Sequence, residues 1–318
     1  MHLPDFIIIG AAKAGTTSLY KVLAQHPDIF MSTPKEPEFF ARDDRYAAGV
    51  EHYSRLFDAA SSTQICGEAS TLYSLAPLFP YTAERIKTHL PQVKLIYILR
   101  EPVARAYSYY VQLVKNRQNA TQDPIVHRSF EDCLFPDAHP DRAPRAAFFA
   151  GFDAHLPDDP ALFLAGSDYV QQIDAYLAHF DRAQIHFVVF EEFMARPAAA
   201  IAAMLHFLGV DPARLANTQM ARANISEDHF DRVRQTAEIG RVRQSLGPLY
   251  APARLLPKGL KRAAKQLLMQ IRPATGRQDH MPPAMLPATR DWLHNRFLAD
   301  RHKIQALTDL DLAVWDAR

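Results

Sequence analysis

Short apolar runs alternate with stretches of helical spacing over the first two thirds of the chain. Phe6-Ile-Ile-Ile9 and Leu95-Ile-Tyr-Ile-Leu99 are almost continuously apolar, the pattern of strands covered on both faces. Ile185–Phe190 and the shorter Gln64–Cys66 predict two further strands. Thr17–Gln25, Val103–Asn116 and Ala198–Leu208 carry apolar residues at helical spacing and are predicted as helices. Strands joined through helices imply a central parallel sheet flanked by helices on both faces, a three-layer α/β fold. The strands at 6–9 and 95–99 should be central. Open parallel sheets bind ligands beyond the carboxyl ends of their strands, so Gly10 onward and Arg100 onward are where chemistry is expected.

Tyr169, Ile173, Tyr176, Leu177 and Phe180 form a helical stripe within Asp168–Phe180, read as core packing. After Gly209 the pattern is mainly helical and richer in Arg and Pro, with a Pro-studded break at Arg272–Pro287 before two terminal helices. We expect a single domain over 1–318, with a ligand-binding core over about 1–210 and a helical extension over about 211–318.

Composition narrows the function classes. With 48% hydrophobic and 22% charged residues the 318-residue chain can build a full core, and a net charge of +1 gives no bulk field for nucleic acid. Anions must be met by local clusters of Arg and Lys. Two cysteines, Cys66 and Cys133, suggest buried thiols in a reducing compartment, and no leader pattern precedes the first strand, so a cytoplasmic location is expected. No apolar run approaches the ~20 residues of a membrane span. Fourteen histidines include no His-Glu-x-x-His pair, and neither cysteine has a Cys-x-x-Cys partner, so no metal is expected. A Gly-x-Ser-x-Gly elbow for acyl transfer is also missing. Arg254–Arg272 reads as a basic amphipathic helix: its apolar face packs on the domain, or, in the sharper alternative, it makes weak peripheral contact with an anionic membrane.

The turn Gly10-Ala-Ala-Lys13-Ala14-Gly15-Thr16-Thr17-Ser18 follows a buried strand and opens a helix, a setting in which backbone N–H groups converge on an anion. A nucleoside-triphosphate P-loop places lysine directly after its second glycine. Here Thr16 takes that slot and Lys13 lies earlier, which argues against ATP or GTP hydrolysis. At the end of the other central strand stands Leu99-Arg100-Glu101-Pro102, where a nucleotide hydrolase would often present a magnesium-binding Asp. Arg100 suits a terminal phosphate instead, and Ser108 follows on a helix begun by Pro102. Two separated phosphate sites are implied. The alternatives are a tight turn needing Gly10 and Gly15, and an ion pair of Arg100 with Glu101 or Glu68.

Phe6 to Tyr20 resembles the 5′-phosphosulfate loop of sulfotransferases that use 3′-phosphoadenosine-5′-phosphosulfate (PAPS), and Leu95 to Ser108 resembles their 3′-phosphate motif. The likeness is to the heparan-sulfate, carbohydrate-modifying type and its bacterial relatives, and it extends to Leu310-Asp-Leu-Ala-Val-Trp315. It implies a P-loop-like fold and transfer of a sulfuryl group from PAPS to an acceptor hydroxyl or amine on a carbohydrate or glycolipid, leaving adenosine 3′,5′-bisphosphate. PAPS would be held by Lys13, Ala14, Gly15, Thr16, Thr17, Ser18, Arg100 and Ser108, with Gly276 and Arg277 closing over it. Lys13 would stabilise the leaving group, and Glu36, in Pro34-Lys35-Glu36-Pro37-Glu38-Phe39-Phe40, would be the base, with Glu38 in reserve and a solvated pair with Lys35 as the plain alternative. Glu68-Ala69-Ser70-Thr71 lacks the lysine that carbohydrate enzymes often carry after that Glu, which speaks against a highly sulfated acceptor. Residues 117–168 are expected to wall the acceptor site. The competing readings are a magnesium-dependent P-loop kinase and a non-catalytic module that binds adenosine 3′,5′-bisphosphate.

Overall fold

The computed structural model describes residues 2–135, 159–216, 230, 233 and 280–316. Five parallel strands form one sheet in the order β2-β3-β1-β4-β5: β1 (Phe6–Gly10), β2 (Ile29–Met31), β3 (Ile65–Ala69), β4 (Lys94–Leu99) and β5 (Ile185–Val189). The helices are α1 (Thr16–Leu23), α2 (Asp43–Tyr46), α3 (Val50–Ser54), α4 (Thr82–His89), α5 (Pro102–Thr121), α6 (Phe130–Leu134), α7 (Asp159–Leu164), α8 (Tyr169–Leu177), α9 (Phe190–Ala195), α10 (Pro197–Leu208), α11 (Pro287–Leu298) and α12 (Arg301–Thr308). This is the α/β sheet expected from the alternating pattern, in the P-loop-like arrangement that the resemblance implies. Among the described residues no helix is long and apolar enough to cross a membrane.

β1 occupies the centre, pairing Phe6 with Gly67 of β3 on one side and with Lys94 of β4 on the other. All five of its residues are buried, which is why it reads as an unbroken apolar run. Gly67 lets β1 and β3 pack: a Cβ there would overlap the Phe6 ring. The chain leaves β1 for β2 and β3 on one side, then crosses to β4 and β5 on the other. The switch point therefore lies between β1 and β4, and their carboxyl ends carry Gly10 and Leu99.

Two apolar clusters hold the molecule. The larger surrounds the sheet and includes Tyr169, Ile173, Tyr176 and Phe180 of the expected core stripe. The smaller joins Tyr109, Tyr110 and Leu113 of α5 to Phe130, Phe163, Leu293 and Phe297, so α5 is buried against α11 as well as against α6 and α7. The basic stretch at 254–272 lies outside the described residues.

Candidate active site

The turn after β1 is shaped by two left-handed residues, Lys13 at φ 72° and Gly15 at φ 81°. Glycine is required twice. A Cβ on Gly10 would lie 2.7 Å from the Ser74 Cβ, and one on Gly15 would press within 3.2 Å of the Phe190 ring. Ala14 is buried and its amide donates to the Ala11 carbonyl at 3.1 Å, so this residue shapes the turn. Gly15 is the N-cap of α1 and no side chain caps that helix. The Ser18 amide closes back on the Gly15 carbonyl at 3.0 Å, and the amides of Thr16 and Thr17 precede that first bond, the place where a helix start offers donors to an anion. Thr16 is buried, while Thr17 and Ser18 are half-buried on the first turn.

Lys13 Nζ donates to Gln112 Oε1 of α5 at 3.0 Å. Burial, with Lys115 and Arg100 nearby as like charges, lowers its pKa from the ordinary 10.5 to about 8. A group so placed gains from a bound anion. Arg100, at the end of β4, donates from Nη1 to the Lys13 carbonyl at 2.7 Å and lays its guanidinium over the Phe190 ring at 4.8 Å. The backbone of Arg100 is fixed by Tyr169, whose hydroxyl accepts from its amide (3.2 Å) and donates to its carbonyl (2.8 Å).

The alternative ion pairs for Arg100 do not form. Glu101 is the N-cap of α5, its carboxylate accepting from the amides of Val103 (2.9 Å) and Ala104 (2.7 Å). Glu68 is fully buried and accepts from the Tyr53 hydroxyl at 2.8 Å and from Ser70 Oγ at 3.3 Å. Burial raises its pKa from 4.5 to about 7. Ser108 is half-buried on α5. Gln112 and Lys115 follow it four and seven residues on, along the same helical face.

Glu36 enters from the segment after β2, at φ 60°. Its amide donates to the Ala69 carbonyl (3.0 Å), and its carboxylate accepts from the Thr71 amide (2.6 Å) and hydroxyl (3.3 Å). The pair with Lys35 is also present, so the plain alternative describes one oxygen while Thr71 holds the other. Glu38 instead lies 3.6 Å from both Arg42 and Arg45. Glu36 thus sits at the carboxyl end of β3, Lys13 after β1 and Arg100 after β4, across three adjacent strands spanning about 10 Å. Gly276 and Arg277 lie outside the described residues.

Sequence reasoning missed Gln112, Lys115, Phe190 and Tyr169. Helical spacing from Ser108 offered a signal for the first two; Tyr169 read as a core residue and Phe190 as the end of a strand, though it begins α9, and neither offered one.

The turn after β1 and the end of β4 thus bring two cations, Lys13 and Arg100, to the ends of paired strands. A family model described as sulfotransferase domain matches residues 3–238. The chain is 37% identical over 142 residues to the membrane-associated sulfotransferase kil1 of Dictyostelium discoideum, covering 43% of this chain and 28% of that protein. It is 29% identical over 220 residues to the mouse bifunctional heparan sulfate N-deacetylase/N-sulfotransferase 4, covering 66% and 23%. With the mouse heparan sulfate glucosamine 3-O-sulfotransferase 3B1 it shares 30% identity over 209 residues, covering 66% and 47%. The chain therefore matches only about a quarter to a half of the length of these relatives. A crystallised sulfotransferase from Alicyclobacillus acidocaldarius has the same fold, with a TM-score of 0.65 and 24% identity, over 99% of this chain and 100% of that one.

Proposed function

The chain belongs to the sulfotransferase domain family; on that premise we propose that it is a sulfate-transferring enzyme that moves the sulfuryl group of PAPS to a hydroxyl, or an amine, of a carbohydrate or glycolipid. The observation that carries the reading is the convergence of Lys13 and Arg100 at the switch point, one after each of the paired strands β1 and β4. A 5′-phosphosulfate held by the turn and a 3′-phosphate held by Arg100 and Ser108 use both anchors. The glycine cradle and the uncapped start of α1 fit such a ligand. The carbohydrate acceptor rests on the relatives named for heparan sulfate.

In the proposed transfer the acceptor oxygen bonds to sulfur as the bridging bond to the 5′-phosphate breaks. Glu36 takes the acceptor proton, and Lys13 faces the charge that develops on the departing 5′-phosphate oxygen. Thr71 and the Lys35 ammonium keep the Glu36 carboxylate oriented. A reducing, cytoplasmic compartment belongs to the same reading, since Cys66 and Cys133 are buried.

The test is Glu36→Gln, which keeps an oxygen for the Thr71 amide. Adenosine 3′,5′-bisphosphate binding by calorimetry should stay unchanged while transfer from labelled PAPS to a panel of sugar acceptors falls by about 10²–10⁴-fold. Near-normal turnover would remove Glu36 from the role. Failure of the wild-type chain to bind the bisphosphate would remove PAPS.

A further inference from the structure

The backbone at the end of β4 is pinned by two side chains, and a single indole braces both. Tyr169 holds the amide and carbonyl of Arg100. Glu191, in the first turn of α9, accepts the Glu101 amide on Oε1 at 3.1 Å. Its other oxygen, Oε2, accepts Nε1–H of Trp315 at 3.0 Å, and the Trp315 ring lies 6.1 Å from that of Tyr169. A buried indole N–H needs a partner, and here the partner is the carboxylate that fixes the entry to α5.

Trp315 is itself held firmly. Its amide donates to the Leu312 carbonyl at 3.0 Å, Leu312 is buried, and the neighbouring Asp316 pairs with Arg301 of α12. This turn, Ala313–Asp316, lies beyond residues 3–238 that match the family model.

We infer that Trp315 is a positioning residue for the phosphate grip of Arg100, acting by holding Glu191 on the Glu101 amide and by backing Tyr169. The inference rests on the PAPS reading, in which Arg100 meets the 3′-phosphate. Losing the indole N–H frees Glu191 to turn away, and the segment from Leu99 to Pro102 loses one of its anchors. The cost should fall on the 3′-phosphate and not on the nucleotide as a whole.

Calorimetry on the full chain with adenosine 3′,5′-bisphosphate and with adenosine 5′-monophosphate separates these effects. Trp315→Phe keeps the ring and should weaken the bisphosphate about tenfold, the worth of one hydrogen bond to a charged group, with the monophosphate within about twofold of wild type. Glu191→Ala removes both bonds and should cost at least as much, and the double variant should be no weaker than Glu191→Ala alone, since Trp315 acts through that carboxylate. Equal losses for both nucleotides, an unchanged ratio, or additive losses in the double variant would overturn the inference. A wild-type chain with no preference for the bisphosphate would overturn the donor reading, and this inference with it.

Discussion

Lys13 stands among like charges, and that has a measurable sign. Its pKa near 8 means that the free site loses its lysine charge as pH rises through that value, whereas a bound phosphate favours the protonated form. Binding therefore takes up a proton above pH 8, and bisphosphate affinity should fall by up to about tenfold per pH unit there. Lys13→Arg keeps its charge and should flatten the profile in calorimetry. Lys13→Ala should reduce transfer about 10²–10³-fold. Glu68 carries the opposite sign. Its folded-state pKa is raised, so the neutral carboxyl gives its full stability below about pH 4.5, and this is lost as pH rises toward 7. The contribution is about 3 kcal/mol. In Glu68→Gln the fall in urea midpoint between pH 5 and pH 8 should shrink. The sequence offered Glu68 as a partner for Arg100, because a charge in a strand invites a counter-charge. The Tyr53 and Ser70 hydroxyls that satisfy it come from positions whose side-chain directions only the fold defines.

At the scale of elements, legibility follows apolar run length. β1, β4 and β5 are long buried runs and stand where the pattern placed them. β2 has three residues, too few for any periodicity, and β3 carries Gly67 and Glu68, types that disfavour strands until packing overrides them. Gln64–Cys66 was therefore legible only as the start of β3. The turn after β1 was legible because its glycines are demanded by geometry. Gly10→Ala forces a methyl into Ser74 and toward the Tyr97 ring at 3.2 Å, and should destabilise the protein by about 1–3 kcal/mol in denaturant titration. Arg100 and Ser108 were legible through their strand-end and helix placement. What held Arg100 in place was not, because Tyr169, Phe190 and Glu191 approach from distant segments.

Across the whole molecule, the candidate site draws on β1, β3, β4, α5, the β5–α9 junction and, through Trp315, the last described turn. The strand order has a consequence for how such a chain comes into being. β1 is made before both of its partners, β3 and β4, so neither edge can close before residue 69 and the second remains open until residue 99. During synthesis the Phe6–Ile9 segment is a sticky, unpaired template, the state in which nascent chains recruit chaperones or aggregate. The same central placement that aims the phosphate turn also leaves the first strand open on its second edge until β4 is made, as β4 in turn waits for β5, and slow, non-local closure should dominate the folding rate.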